Sequence, residues 1–280
     1  MKIRYLLSDS CAVLANVFGY RRDVIDINLA RSFPEAGYSE LKLLRREYYR
    51  HIFDLAVESL WVVTVSQQRL CRCVTMVNPE LPDKLAQKHS KILFVMGHTG
   101  NWELIGAIAG YKENYRENKF TDRKLFFTYK KTRNRFVNRI LCGIRHQAFR
   151  KSATKGDIIE IKDALFEIVG QRNNGEKANY FLIADQSPKE SYVIVDFMNQ
   201  KSAFFRGAEY LSKKMDIPLV YMGMTRVARG EYQIRFSLIE ESPAECEKGE
   251  LTKRFAALLE KDIKEDRVNW LWSHKRWKKR

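Results

Sequence analysis

The residues best placed to do chemistry lie in one short stretch, Gly97-His98-Thr99-Gly100-Asn101-Trp102-Glu103. An imidazole followed five positions later by a carboxylate is the raw material of a proton acceptor. The carboxylate fixes the ring tautomer through one nitrogen, and the other nitrogen takes a proton from a hydroxyl. Residues five apart in a regular helix sit about 140° from each other and do not meet. His98 is therefore expected in a turn, with Gly100 allowing the bend, Asn101 as N-cap and Glu103 in the first helical turn, where the macrodipole favours a carboxylate. From there Glu103 is expected to reach back to His98, and the helix start to offer backbone N–H groups to an oxyanion. The pattern supplies no in-line nucleophile, so the chemistry it suggests is general-base activation of a substrate hydroxyl. His51, His89, His146 and His274 stand in unrelated contexts, and no metal site is expected. The five cysteines are odd in number, and Cys71-Arg72-Cys73 lacks the two-residue spacer of common zinc and redox motifs. Free thiols follow.

A His and a Glu at this spacing are frequent by chance, so the weight of the pair comes from its surroundings. Ile92 to Met96 is a short, continuous apolar run ending in Gly97, which reads as a buried strand. An apolar helix is expected from Trp102 to Tyr111. The pair thus falls where a strand gives way to a helix, the end of an α/β sheet that carries active sites. Further strands are expected at Leu125–Tyr129, Asn179–Ala184, Leu219–Thr225 and Tyr232–Ile239. Helices are expected at Val137–Cys142, Asp157–Val169, Ala208–Met215 and Lys253–Lys264. This alternation predicts an α/β fold with a mixed, largely parallel central sheet flanked by helices. The Arg229-Gly230-Glu231 turn supplies an antiparallel hairpin.

Before residue 91 the reading is helical. Leu43, Leu44, Tyr48, Ile52, Leu55, Ala56 and Leu60 recur at helical spacing between breaks at Ser32-Phe33-Pro34 and Asn78-Pro79-Glu80-Leu81-Pro82. No linker is visible. We read one domain, with a membrane-proximal helical N-terminal extension over 1–90 and an α/β core over 91–280. The apolar stretch from Tyr5 to Tyr20 is interrupted by Ser8, Asp9, Ser10 and Asn16. It falls short of the ~20 apolar residues that span a bilayer and shows no signal-peptide cleavage pattern. Two roles fit it: a helix lying flat on a membrane with Arg21 and Arg22 at the headgroups, or an ordinary core-packing helix.

The 280 residues are 45% hydrophobic, which excludes global disorder, and 14 Gly with 6 Pro exclude collagen-like chains. Lys and Arg number 50 against 34 Asp and Glu, a net charge of +16. Such a surplus implies a polyanionic partner: nucleic acid, an anionic membrane, a phosphorylated lipid or an acidic carrier protein. The tail Trp270-Leu271-Trp272-Ser273-His274-Lys275-Arg276-Trp277-Lys278 fits base stacking, a bilayer interface or packing on the core. No nucleic-acid module is recognisable, so interface or packing is favoured and no nucleic-acid partner is expected. Asp185-Gln186 follows an apolar strand and is either substrate-facing or a strand-end turn.

Gly-His-x-Gly-Asn-Trp-Glu resembles the first block of the bacterial lipid A late acyltransferases, a branch of the lysophospholipid acyltransferase superfamily marked by His, four residues and an acid. Further stretches agree in order: Gly19-Tyr20-Arg21-Arg22, Ser32-Phe33-Pro34, Tyr129-Lys130-Lys131, Asp185-Gln186-Ser187-Pro188, Phe204-Phe205-Arg206-Gly207-Ala208-Glu209, Pro218-Leu219-Val220-Tyr221 and the tail. The resemblance spans nearly the whole chain and implies a glycerolipid acyltransferase-like fold. It implies His98 and Glu103 as catalytic residues, and Gly100, Asn101, Lys130, Lys131, Asp185, Gln186 and Arg206 as substrate-binding. It also implies direct transfer of a fatty acyl group from a thioester to a hydroxyl of a lipid A precursor, with acyl carrier protein as co-substrate and no cofactor. A phospholipid or aminolipid is the alternative acceptor, and the implied location is the cytoplasmic face of the bacterial inner membrane. Relatives begin with a longer apolar helix, so peripheral or weak attachment is expected here. Lys130 stands where many relatives have Arg, and Arg206 where a neutral residue is common. Two readings of other kinds remain: a nucleic-acid-binding protein without activity, and a hydrolase that uses the same dyad on water.

Overall fold

A computed structural model of the chain describes residues 2–110, 119–129, 131, 135–150, 156–170, 175–188 and 190–277. Five helices open it: α1 (Lys2–Phe18), α2 (Arg22–Ser32), α3 (Tyr38–Val62), α4 (Gln67–Cys71) and, after strand β1 (Val74–Met76), α5 (Glu80–Lys88). Strand β2 (Lys91–Met96) leads through the His98 turn into a 3₁₀ segment (Trp102–Gly110), and then come β3 (Lys124–Tyr129) and α6 (Arg135–Arg150). Next are β4 (Gly156–Glu160), α7 (Ile161–Gly170), β5 (Ala178–Ile183), the hairpin β6 (Tyr192–Phe197) and β7 (Gln200–Phe205), and α8 (Gly207–Met215). The chain closes with β8 (Leu219–Ala228), β9 (Glu231–Glu240) and α9 (Glu250–Glu265).

Seven strands form one sheet in the order β1-β9-β8-β2-β5-β3-β4, parallel throughout except for the antiparallel β8–β9 pair. This is the mixed, largely parallel sheet expected, with helices on both sides. Strand β2 is buried along its whole length because it sits between two neighbours and under both helical layers. Its side chains alternate, Leu93 and Val95 entering one apolar core and Ile92, Phe94 and Met96 the other. A strand with no solvent face favours apolar side chains, and from Ile92 to Met96 every one is apolar; only Lys91, at the strand's start, is charged.

The structure departs from the sequence reading in several places, and the helix expected at Val137–Cys142 runs from Arg135 to Arg150. Residues 157–160, read as the start of a helix, form β4 and pair with β3; the helix begins only at Ile161. Ile158 and Ile159 suit a strand, and the sheet edge beside β3 gives them a partner. The segment after the His98 turn is 3₁₀ rather than α-helical, and Tyr111 lies outside the described residues. The β6–β7 hairpin went unread. The nominally helical N-terminal stretch contributes β1, which pairs with β9.

Helix α1 is turned inside out relative to a core helix. It buries Ser8, Ala12 and Ala15 and leaves Leu6, Leu7, Val13, Leu14, Val17 and Phe18 exposed, Phe18 to 81%. Polar contacts hold the inner side. Ser8 donates to Asp54, and Arg229 bridges Asp9 and Asp54 at 2.6 and 2.7 Å. Asp54 also takes Arg226 at 2.6 Å. Burial, followed by the Arg226 charge, drives the neighbouring His51 down to about 3, so it is neutral in this cluster. No helix among the described residues is long and apolar enough to cross a membrane.

Candidate active site

Sheet register builds the site. Strands β2 and β5 are parallel neighbours with Met96 opposite Ile183, so two residues further on His98 stands opposite Asp185. The ring Nδ1 lies 2.5 Å from Asp185 Oδ1, and the His98 backbone N–H donates to Oδ2 at 2.9 Å. The indole N–H of Trp270 donates to the same Oδ2 at 2.8 Å. Burial alone raises the Asp185 carboxyl. The facing His98, the two His98 hydrogen bonds and the Trp270 indole outweigh it and hold the group well below the usual carboxylate range. An ionised carboxylate only accepts, so Nδ1 carries a proton and Nε2 is left as the acceptor.

This corrects the expected dyad. Glu103 does not reach His98; its carboxylate takes a two-pronged contact from Arg145 on α6, at 2.9 and 2.5 Å. The 3₁₀ turn swings the Glu103 side chain toward α6, and the Trp102 ring stands against the imidazole edge-on, with centroids 4.9 Å apart. The partner of the histidine therefore comes from the next strand and not from its own turn.

The free face of the ring opens onto a cavity of about 1160 Å³. That is above the 300–1,000 Å³ usual for small-molecule pockets. Its walls are mainly apolar: Ile52, Leu55 and Leu60 from α3, Leu141 from α6, Ile183 and Phe205. Gln186 Nε2 is 3.2 Å from His98 Nε2, so its amide N–H donates to the ring nitrogen that Asp185 leaves as an acceptor.

Of the sequence-derived site residues, His98, Asn101, Glu103, Lys131 and Gln186 line this cavity. Asp185 is buried behind the imidazole. Lys130 lies outside the described residues. Arg206 is not among the lining residues; it precedes α8 with Nε 3.7 Å from Glu209. The Asn101 side chain is turned to α3 and not to the turn it was expected to cap: its amide donates to buried Glu58 at 2.9 Å and its oxygen faces Ser59 Oγ at 3.5 Å. Gly100 shapes the turn, at φ 58°, and its N–H is taken by Asn269 Oδ1 at 2.9 Å. With the His98 N–H also committed to Asp185, two of the backbone donors in the turn are closed to an oxyanion.

A side chain at Gly100 meets two obstacles, a left-handed backbone and a Cβ position 2.6 Å from Met224 Cγ. Gly100→Ala is expected to lower stability by about 1–3 kcal/mol. It should also reduce activity below what a matched destabilisation elsewhere causes, as denaturant midpoints and initial rates measured side by side will show.

Sequence reasoning missed Arg145, which lies beyond the helix expected to end at Cys142, and Glu58, whose type and place on α3 signalled only a surface charge. It placed Trp270 in a tail with several possible roles. In the structure Trp270 and Trp272 are 3% and 0% exposed, so neither ring is available for base stacking. None of the five cysteines is joined in a disulfide among the described residues. Among the described residues no group of three His, Cys, Asp or Glu side chains converges as a metal site.

No curated protein sequence matches the chain significantly. The profile of the bacterial lipid A biosynthesis acyltransferases, however, matches residues 1–279, essentially end to end. A His–Asp pair opening from a strand end onto an apolar cavity is the equipment an acyl-transferring enzyme needs, and the chain belongs to the bacterial lipid A biosynthesis acyltransferase family.

Proposed function

We propose that the protein transfers a fatty acyl group from an acyl carrier protein thioester to a hydroxyl of a phosphorylated lipid A precursor. The observation that carries this reading is the His98 Nε2 facing a large apolar cavity while Asp185 holds Nδ1. The acceptor hydroxyl displaces the Gln186 amide and gives its proton to Nε2. Its oxygen attacks the thioester carbonyl as the C–S bond breaks, and the thiolate leaves with the proton returned from the imidazolium. No acyl-enzyme forms. Asp185 stabilises the imidazolium and keeps the ring oriented. Glu103 acts at one remove, fixing the Arg145 guanidinium at the cavity wall, where it can meet an anionic substrate group. Lys131, exposed at the cavity edge, offers a second cation. The net charge of +16 favours encounter with an acidic carrier protein and with phosphorylated lipid.

Incubating the purified protein with an acyl carrier protein thioester and a lipid A precursor tests the reaction by mass spectrometry. The expected product is heavier by one acyl group. Thioester loss at the same rate without acceptor would instead make the protein a hydrolase.

The outward apolar face of α1 supports peripheral attachment at the cytoplasmic face of the inner membrane, where such an acceptor lies. Replacing Leu14 and Val17 with Glu is expected to weaken binding to anionic phospholipid vesicles by about 10²-fold or more, since each side chain gives up roughly 1.5–3 kcal/mol of burial. Both positions are exposed, so the thermal midpoint should hold. Unchanged sedimentation with vesicles would rule α1 out as the attachment surface.

A further inference from the structure

Behind the catalytic turn lies a carboxylate that the reaction as described does not use. Glu58, on α3, is 1% exposed. It accepts from the Tyr5 hydroxyl at 2.8 Å, the Tyr232 hydroxyl at 2.7 Å and the Asn101 amide at 2.9 Å. Burial and then the Glu58 charge push both phenols well above their ordinary range, so each stays a donor. A carboxylate only accepts, and therefore Glu58 dictates which way the Asn101 amide faces. The NH₂ group turns to Glu58 and the carbonyl oxygen turns to the side of Ser59.

That side is the cavity. Asn101 and Ser59 both line it, and Glu58 does not. The Asn101 oxygen is poorly served there by the protein. Ser59 Oγ is 3.5 Å away, at the limit of a hydrogen bond, and its single proton goes to Leu55 O at 2.7 Å. Asn101 itself is 1% exposed. A buried carbonyl oxygen with so weak a partner is costly unless something else donates to it.

We infer that Asn101 presents a fixed hydrogen-bond acceptor to an amide N–H group of a substrate, and that Glu58 is the positioning residue that sets its orientation. The inference rests on the acyl-transfer reading and adds to it a recognition element three residues from the general base. Two parts of the reactants carry such a donor, an amide of the thioester's pantetheine arm and an amide of the lipid acceptor. Through Tyr5 the same carboxylate ties the turn to the outward-facing helix α1.

The test compares Asn101→Ala, Glu58→Gln and Tyr232→Phe with the wild type. Each is assayed with normal substrates, with a thioester whose pantetheine amide is N-methylated, and with an acceptor whose amide is replaced by an ester. Asn101→Ala and Glu58→Gln are expected to lose about tenfold or more in kcat/KM, the scale of one hydrogen bond to a bound ligand. Tyr232→Phe removes a donor from Glu58 without freeing Asn101. It should lower the thermal midpoint and leave kcat/KM unchanged, whereas a purely structural role makes all three variants lose activity in step with stability.

One analogue should cost the wild type a similar factor and cost Asn101→Ala nothing further, because the two changes remove the same contact. Non-additivity with the thioester analogue assigns the contact to the donor arm, and with the ester analogue to the acceptor. Additivity with both, in an enzyme that transfers normally, overturns the inference while the reaction stands. A wild-type protein that forms no acylated product overturns both.

Discussion

Alanine at position 98 is expected to lower kcat for acyl transfer by about 10²–10⁴-fold, the range over which a positioned general base contributes. Nε2 is the ring nitrogen with an unshared pair on the cavity side, because Nδ1 is committed to Asp185 at 2.5 Å. Without it the acceptor hydroxyl must attack with its proton still attached. Folding should survive the change. Asp185 keeps the Trp270 indole and the backbone N–H of residue 98, and the truncated side chain fronts a cavity instead of filling a core. The check is a rate assay paired with a thermal melt. Retained transfer in a folded His98→Ala protein would remove the histidine from the mechanism.

Asp185→Asn is expected to cost kcat nearly as much, up to about 10⁴-fold by analogy with a triad whose aspartate becomes an amide. An asparagine NH₂ facing Nδ1 forces that nitrogen to accept, which moves the proton to Nε2 and blocks the base. The effect on stability has a defined sign. The folded-state pKa of Asp185 lies below its unfolded value. Its contribution is therefore fully present above the range in which a free aspartate titrates, and it is lost as pH falls through the folded value. The stability gap between wild type and Asp185→Asn should shrink on acidification below about pH 4, in denaturant midpoints measured across pH. Glu103→Gln gives the contrast. It loosens Arg145 but leaves the ring's partner in place, so the pH profile of kcat should keep its wild-type form. A profile altered by Glu103→Gln and untouched by Asp185→Asn would restore the sequence-derived dyad.

What the sequence disclosed about this site was its location more than its wiring. The apolar run of β2 ending at Gly97 announced a buried strand, and the strand is there, with the His98 turn directly after it. The choice between Glu103 and Asp185 as partner depends on which strand lies beside β2. That neighbour, β5, begins only at Ala178 and is inserted between β2 and β3. Strand order is a tertiary property, and no local pattern encodes it. The β6–β7 hairpin was hidden for another reason. Its two-residue turn, Met198-Asn199, holds both residues at positive φ, yet neither is the glycine that normally marks such a turn. Met198 is fully buried and its N–H donates to Glu260, so tertiary contacts hold a conformation that local preference does not select. The exposed face of α1 was half legible. Its composition allowed either a core or a surface helix, and what separated them was the Asp9–Arg229–Asp54 network, which draws the polar side inward.

The sheet order that creates the His98–Asp185 pair also shapes how the polypeptide reaches its native state. Strand β2 emerges from the ribosome early, yet neither flanking strand exists until Ala178 and Leu219 have been synthesised. Meanwhile Lys91-Ile92-Leu93-Phe94-Val95-Met96 is a β-prone segment with two unpaired edges. Parallel pairing between distant segments is slow, and exposed strands of this kind are where nascent chains aggregate. Chaperone engagement during translation, and inclusion bodies on rapid overproduction, are the natural liabilities of an enzyme whose central strand is made long before either of its neighbours.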